Sequence, residues 1–181
     1  CFTIIVAAAG HAAADDRLPT KKRVILLFKV LTFDKQLSKG RDALRVGVVA
    51  RAGDGPSERE GRATLKQLNK IKHMRVQKLS IEPTLARVGD GATLARTVAD
   101  NKLNLLYLAP GVDPLMGAIC KLARDKRLLV LSGETRHARR CAALTVVARD
   151  NRPKIIINKG AASRQGAAFK SAVLRKAQVI D

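Results

Sequence analysis

Short apolar runs alternate along this chain with longer stretches in which apolar residues have helical spacing. Continuous runs rich in Leu, Val and Ile predict buried strands, and the longer stretches predict helices with one apolar side. The predicted strands are residues 44–50, 74–79, 103–108, 127–131, 143–148 and 155–157. The predicted helices are residues 20–37, 56–71, 91–102 and 113–126, and a last helix has an apolar side that extends from Ala162 to Ile180. Residues 80–90 are predicted to form a loop that contains Pro83.

This alternation predicts an α/β fold, in which a three-layer αβα sandwich surrounds a mostly parallel sheet. The turn residues at positions 150–153 predict that the last two strands form an antiparallel hairpin at one edge of the sheet, followed by a helix. No internal repeat, low-complexity tract or linker interrupts the sequence after the first 14 residues. We therefore expect residues 15–181 to form a single domain.

Residues 1–14 have the character of a secretory leader. They begin with an apolar run that is too short to span a bilayer, and Ala12 and Ala14 have the spacing of a signal peptidase site. We interpret this segment as a truncated signal peptide that is cleaved after Ala14, which predicts a periplasmic or secreted protein. The alternatives are a buried strand and a lipoprotein modified at Cys1, although a lipidated Cys normally precedes a polar tether and apolar residues follow here.

The chain carries a large excess of positive charge. Thirty-five Lys and Arg residues oppose fifteen Asp and Glu residues, which gives a formal net charge of +20. Such an excess attracts polyanions, so an anionic envelope polymer is a candidate partner. The basic residues are scattered, which favours a solvated surface, with the densest groups at 21–23 and 136–140. Aromatic residues make up only 3%, which leaves no stacking platform and makes nucleic acid an unfavoured partner.

Residues that could carry catalysis or bind a metal are sparse. His73 and His137 have neither a second His nor a carboxylate at metal-ligand spacing, so the sequence predicts no catalytic residue, metal site or cofactor. Cys141 follows His137 by four residues, but the surrounding arginines favour a solvated basic bend over a catalytic Cys–His pair. Cys120 and Cys141 are expected to be two buried free thiols, with pairing in an oxidising compartment as the alternative.

Ligands of open α/β sheets bind outside the carboxyl ends of the strands, which here are residues 51–57, 110–113 and 132–135. The first of these loops has the position of a phosphate-binding loop, but its spacing fits no phosphate motif and turn geometry explains its glycines equally well. We also expect Asp113 to cap the helix that follows it. The candidate residues for contact with a ligand or partner are Arg51, Asp54, Ser57, Asp113, Ser132, Glu134 and Thr135, and the alternative is that all three loops are simply polar.

The C-terminal segment has a distinctive set of residues at fixed spacing: Asn158, Ala161, Ala162, Gly166, Phe169, Ser171, Leu174, Ala177 and Val179. This set resembles the signature of the YfiR-like family of small secreted bacterial proteins. Segments 26–34, 44–50, 105–109 and 128–132 also resemble the family, in the same order, so the resemblance covers roughly residues 22–180.

The resemblance implies a non-catalytic periplasmic regulatory protein. The best-known member of the family restrains a membrane-anchored diguanylate cyclase, which couples conditions in the envelope to cyclic-di-GMP signalling. The resemblance implies a partner that is an envelope or inner-membrane signalling protein. The chain itself is also a candidate homodimer. The better-known members also use disulfides, but this chain lacks their cysteine pattern.

Other functions stay open at the level of sequence. One alternative is a basic protein that binds polyanions or nucleic acid, for which affinity would fall steeply with salt. A second is a small-ligand receptor that resembles one lobe of a periplasmic binding protein and needs a dimer or another chain to complete its cleft. An enzyme ranks last, because no catalytic set of residues stands out.

Overall fold

The computed structural model describes residues 18–150 and 152–181. The helices within these residues are α1 (Thr20–Leu31), α2 (Gly55–Ile71), α3 (Gly91–Asp100), α4 (Met116–Lys126), α5 (Thr135–Ala138), α6 (Lys159–Arg164) and α7 (Ser171–Leu174), and a short 3-10 helix (Asp113–Leu115) precedes α4. The strands are β1 (Ala43–Arg51), β2 (Ser80–Val88), β3 (Leu105–Leu108), β4 (Leu129–Ser132), β5 (Leu144–Arg149), β6 (Arg152–Asn158) and β7 (Gln178–Ile180).

The described strands form one sheet in the order β2-β1-β3-β4-β5-β6-β7. All neighbouring pairs are parallel except β5 and β6, which form an antiparallel hairpin. The chain therefore has the predicted α/β fold with a mostly parallel sheet. Because β1 and β3 are neighbours while β2 lies outside β1, the direction of the connections reverses between β1 and β3, which is where ligands bind in many folds of this class.

Both faces of the sheet are covered by helices. Along β3, Leu105 and Tyr107 point into a core that includes residues of α1 and α2. Leu106 and Leu108 point the other way, into a second core that includes residues of α3 and α4. Side chains of a strand alternate between the two faces, so four consecutive buried residues mean a strand covered on both sides. This confirms the predicted three-layer arrangement.

Strand β2 lies where the sequence predicted a loop. The predicted strand at residues 74–79 is wrong, and β2 instead runs parallel to β1 over Ser80–Val88. The pattern was misleading because Pro83 lies within this strand. Proline lacks an N–H group but is tolerated in an edge strand, and β2 is at one edge of the sheet.

Helix α1 is shorter than predicted because Asp34 ends it. The helix stops at Leu31, and the buried Asp34 Oδ1 accepts hydrogen bonds from the N–H groups of Gln36 at 3.0 Å and Ala168 at 2.8 Å. An aspartate that binds nearby backbone N–H groups competes with helical hydrogen bonding. The same carboxylate therefore joins the end of α1 to the C-terminal segment.

The predicted last helix is wrong as one continuous element. It is divided into α6 and α7, and residues after α7 form β7, which pairs in parallel with β6. Gly166 has a φ of +81°, which a helix cannot contain, so it lies in the turn after α6 rather than in the middle of a helix.

Two further findings concern export and the membrane. The predicted signal peptide, residues 1–14, lies outside the described residues. Among the residues that the structure describes, no helix has both the length and the apolar content needed to cross a bilayer.

Candidate functional site

The loops after β3 and β4 bring Asp113, Glu134 and His137 together. Asp113 begins the 3-10 helix after β3, Glu134 precedes α5, and His137 lies within α5. His137 Nε2 is 3.6 Å from Asp113 Oδ1 and 3.5 Å from Glu134 Oε2. One ligand-type atom from each residue lies within 4.8 Å of the other two. We call this group the Asp113–Glu134–His137 cluster.

His137 is the fully buried member of this cluster. Its Nδ1 atom lies 2.7 Å from the Ser132 hydroxyl, which also accepts a hydrogen bond from the Glu134 N–H group at 3.1 Å. Its Nε2 atom has no hydrogen-bond partner among the residues that the structure describes. Burial lowers the pKa of His137, and the negative charges of Glu134 and Asp113 oppose this effect only in part. Burial therefore favours the neutral form of the imidazole.

A single guanidinium group joins the two carboxylates of the cluster. Arg136 Nη2 lies 3.2 Å from Asp113 Oδ2 and 2.6 Å from Glu134 Oε2. The Arg136 side chain is 56% exposed, whereas the Glu134 side chain is only 10% exposed. One positive charge thus faces two negative charges, and the cluster is an acidic position on a strongly basic chain.

The loop after β1 forms a separate, self-contained arrangement. Asp54 Oδ1 accepts a hydrogen bond from Ser57 N–H at 2.9 Å and so caps α2, and its carboxylate pairs with the Arg51 guanidinium. The Ser57 hydroxyl accepts a hydrogen bond from the Arg51 N–H group at 2.9 Å. The Arg51 guanidinium, followed by the Ser57 N–H group, lowers the pKa of Asp54. A carboxylate therefore occupies the helix N-terminus that a phosphate would need, which supports the turn interpretation of this loop.

Arg23 is buried behind the loop that follows β4. Its guanidinium pairs with Glu60 and lies 5.9 Å from the centre of the Tyr107 ring. A β-carbon placed at Gly133 would lie 2.5 Å from Arg23 Cδ, so the loop follows the arginine closely. This part of the basic group at residues 21–23 is therefore not solvated, because Arg23 is only 3% exposed.

A disulfide joins the two sides of the site. Cys120 in α4 is bonded to Cys141, which follows α5, and their Cα atoms are 5.6 Å apart. The expectation of two free thiols is wrong. The sequence did not reveal the pairing, because the two residues are 21 positions apart and meet only through the packing of α4 beside the segment that follows α5. The bond fixes the helix that follows Asp113 to the segment that follows His137.

An apolar groove lies on the opposite side of the sheet, between α1 and the end of α2. The apolar residues that line it are Ile25, Phe28, Ile71, Met74, Val76 and Ile81, and it has a volume of about 190 Å³. Ile25 is 40% exposed and Met74 is 49% exposed. Lys29 and Arg75 stand at its rim. We call this the α1–α2 groove, and its residues are not among those predicted from the sequence to contact a ligand or partner.

Comparison of the sequence with known protein families identifies the family of the chain. Residues 35–178 match the YfiR/HmsC-like family, which is most of the chain and includes β1 to β6 and the first residue of β7. The chain belongs to the YfiR/HmsC-like family. This confirms the resemblance seen in the C-terminal signature. No curated protein matches the sequence.

Solved structures share the fold of this YfiR/HmsC-like chain at low sequence identity. The ABC domain from Streptococcus pneumoniae in complex with L-Trp has a TM-score of 0.61 and 15% identity, over 90% of this chain and 62% of that chain. A conserved domain protein from Vibrio cholerae has a TM-score of 0.63 and 15% identity, over 90% of this chain and 60% of that one. A substrate-binding protein with adhesive properties from Clostridium difficile, in its ligand-free open form, has a TM-score of 0.62 and 13% identity, over 92% and 61%. This chain thus spans about three fifths of each of them.

Two C-terminal side chains hold the candidate site in place: Asn158, which belongs to the signature described above, and Gln165, which does not. Asn158 Nδ2 donates a hydrogen bond to the Ala138 carbonyl at 2.8 Å, and its Oδ1 accepts the Ala161 N–H group at 2.7 Å. Gln165 Nε2 donates to the Cys141 carbonyl at 2.7 Å. These buried amides therefore fix both ends of the segment that contains α5 and the disulfide cysteine.

The structure brings only part of the predicted set together. Asp113, Ser132 and Glu134 meet around His137, whereas Thr135 is exposed at the start of α5. The remaining predicted residues, Arg51, Asp54 and Ser57, form the separate loop described above.

Three expectations about this region are wrong. Asp113 does not cap a helix, because its side chain contacts Arg136 and His137 and no side-chain cap is formed there. His137 is buried rather than part of a solvated bend. It also has a carboxylate at ligand spacing, since Glu134 precedes it by three residues, and that spacing was the signal that the sequence offered.

Proposed function

We propose that this chain is a non-catalytic regulatory protein that works in the periplasm by binding another protein. The observation that carries the proposal is the family match over residues 35–178. The Cys120–Cys141 disulfide supports it, because disulfides persist mainly in oxidising compartments such as the bacterial periplasm.

The partner that we propose is the external part of a membrane-anchored signalling protein, such as a diguanylate cyclase. By binding it, the chain would hold its output low until a change in the envelope releases it. The relevant equilibrium is between the bound and the free regulator, so a signal must bind one of these states more tightly than the other.

The α1–α2 groove is the surface that best supports contact with such a partner. Two of its side chains, Ile25 and Met74, are large, apolar and exposed, which is the composition found at the centre of protein interfaces. Lys29 and Arg75 at the rim favour a partner segment that is acidic as well as apolar. The net charge of +20 would speed the encounter with such a segment.

Crosslinking in living cells tests this proposal. The full chain, with an affinity tag, is expressed in its native host, crosslinked in the envelope fraction and captured, and its partners are identified by mass spectrometry. We expect a membrane-anchored signalling protein, and its recovery should fall strongly for I25D and M74D. The matched control is V179D, because Val179 is also apolar and 42% exposed but lies in β7 rather than in the groove.

Two results would each contradict one part of the proposal, the regulatory role or the surface that serves it. Capture that yields no membrane protein would oppose the regulatory role itself. Equal recovery with all three variants would leave the role intact but exclude the groove as its surface. Cellular cyclic-di-GMP measured after deletion of the gene then tests the cyclase as the partner, and an unchanged level counts against it.

A second candidate function is reception of a small ligand. Its support is the similarity in fold to a substrate-binding protein and to a domain in complex with L-Trp. A depression of about 500 Å³ lies at the point where strand order reverses, and its lining includes Asp54, Arg59, Glu60, Pro110 and Gly111. A panel of amino acids that includes L-Trp should then raise the melting temperature, and no rise at millimolar concentration would exclude this class of ligand.

A further inference from the structure

We propose that Asp113, Glu134 and His137 bind one divalent transition-metal ion, with Zn²⁺ as the best match. This site is distinct from the α1–α2 groove and does not depend on the proposed regulatory role. The Asp113–Glu134–His137 cluster lies at the carboxyl ends of β3 and β4, where parallel sheets commonly place their ligands.

The unpartnered nitrogen of His137 is the first observation. The residue is fully buried, yet within residues 18–150 and 152–181 its Nε2 atom makes no hydrogen bond. Buried polar atoms are nearly always paired, so each exception in a folded protein needs an explanation, such as an ion. Here Nε2 faces Asp113 Oδ1 at 3.6 Å and Glu134 Oε2 at 3.5 Å. An ion bound between these three atoms would satisfy it.

The separations suit a small ion. In a tetrahedral site with bonds of about 2.0 to 2.2 Å, the ligand atoms are about 3.3 to 3.6 Å from one another. Two separations, 3.5 and 3.6 Å, already lie in that range, and one ligand-type atom of each residue lies within 4.8 Å of those of the other two. Asp113 is 42% exposed at the start of the 3-10 helix, so a change in its side-chain rotamer can close the remaining distance.

The second observation concerns Nδ1, the other imidazole nitrogen of His137, and the group that contacts it. Histidines that bind metals usually donate their second N–H group to an acceptor, which fixes the ring and its tautomer. The Ser132 hydroxyl lies 2.7 Å from Nδ1 and is itself positioned by the Glu134 N–H group. With the proton on Nδ1, the lone pair of Nε2 is directed at the two carboxylates.

The chemistry of the three ligands decides the class of ion. One imidazole nitrogen and two carboxylate oxygens are a common set for Zn²⁺ and also suit Mn²⁺. Mg²⁺ and Ca²⁺ prefer oxygen ligands alone and are expected to bind much more weakly. Three protein ligands leave one position for water, on the side where Asp113 meets solvent.

Arg136 competes with the ion for the same carboxylates. Its guanidinium contacts Asp113 Oδ2 and Glu134 Oε2, so it must move away from Glu134 when the ion binds. Its side chain is 56% exposed and has room to move into solvent. Removal of the Arg136 charge should therefore strengthen metal binding by the cluster. If the cluster is only a structural ion-pair network, removal of this charge should produce no metal affinity.

Calorimetric titration of the full, oxidised chain tests the site. After treatment with a chelator, the protein is titrated with ZnCl₂, MnCl₂ and MgCl₂. We expect one Zn²⁺ per chain, a weaker response to Mn²⁺ and little to Mg²⁺. H137N and D113N should each lower the Zn²⁺ affinity by at least about tenfold, and R136Q should raise it. The control is H73Q, because His73 is exposed and lies far from these residues in sequence, and it should leave the affinity unchanged.

The two ligand variants protect the test against a folding artefact. His137 is buried, so H137N also requires a melting curve, whereas D113N changes a half-exposed side chain and should stay folded. The proposal is overturned if the wild-type chain and R136Q both fail to bind Zn²⁺ with one-to-one stoichiometry. It is overturned equally if folded D113N and H137N bind as tightly as the wild type.

Discussion

Gln165 completes the hydrogen bonding of Val130 in the middle of the sheet. Its side-chain oxygen accepts the Val130 N–H group at 2.9 Å, at a position where β4 and β5 are not yet paired, since their pairing begins at Leu131 and Leu144. Its side-chain nitrogen donates to the Cys141 carbonyl at 2.7 Å. One amide therefore replaces two missing backbone partners.

Replacement of this amide by an apolar side chain should destabilise the fold. The variant Q165L leaves two buried backbone groups without partners, which costs about 2 to 4 kcal/mol in the free energy of unfolding. Urea denaturation followed by circular dichroism measures the difference. The control is Q178L, since Gln178 is an exposed glutamine in β7, and an equal loss in both variants would contradict the role of Gln165.

Removal of the disulfide should lower stability while the fold is kept. The double variant C120S/C141S frees a segment between residues 21 positions apart, which corresponds to a loss of about 3 kcal/mol. Urea denaturation with and without reductant checks this. The wild type in reductant should lose a similar amount and the double variant should be insensitive to reductant. A wild-type curve that reductant does not change would contradict the bond.

Glu58 should make stability depend on acidic pH. Hydrogen bonds from Arg87 at 2.8 Å and from the Gly53 N–H group lower the pKa of Glu58, with a smaller contribution from Arg62. A carboxyl whose pKa is lowered by folding stabilises the native state above its unfolded pKa of about 4.3, and this contribution disappears as the pH falls through the folded pKa. The difference in unfolding free energy between wild type and E58Q should thus shrink from pH 6 to pH 3.

Urea midpoints of both proteins at several pH values measure this difference. The control is D100N, which removes an exposed carboxylate at the end of α3. If the E58Q difference stays constant across the acidic range, the ion pairs of Glu58 do not favour its charged form.

Two glycines should respond in opposite ways to substitution by alanine. A β-carbon at Gly47 in β1 would lie 2.5 Å from Leu103 Cδ1 and 3.2 Å from Leu106 Cδ2, so G47A should cost about 1 to 3 kcal/mol through overpacking. A β-carbon at Gly117 in α4 would meet no described atom within 4 Å apart from its chain neighbours and the backbone of its own helix, so G117A should stabilise the helix by up to about 1 kcal/mol. Thermal unfolding compares the two, and a neutral G47A would mean that Leu103 moves aside without cost.

The layered fold was predictable because its signals are local. A strand covered on both sides needs consecutive apolar residues, and β3 and β4 show that pattern without interruption. Strand β2 was missed because it lies at an edge, where partial exposure allows polar residues and Pro83 within the strand. The division of the last helix was missed because the demand for positive φ at Gly166 comes from the packing of the C-terminal segment, not from its sequence pattern.

The proximity of the candidate residues was predictable in part from the sequence. The rule that ligands bind at the carboxyl ends of strands identified Asp113, Ser132 and Glu134, which do meet. His137 was missed because charged neighbours make its segment look solvated. Its burial depends on residues that follow much later, since Asn158 and Gln165 bind this segment across 20 and 24 positions of the chain.

The proline in β2 has a consequence for contacts between copies of the molecule. An edge strand has unpaired backbone groups, with which a strand of another chain can form hydrogen bonds, and such pairing can start fibre formation. Pro83 removes one donor from such a row, which interrupts any continuous ladder on that side. The opposite margin is β7, only three residues long. Both edges of the sheet thus disfavour pairing with strands of other molecules, which benefits a protein in a crowded compartment.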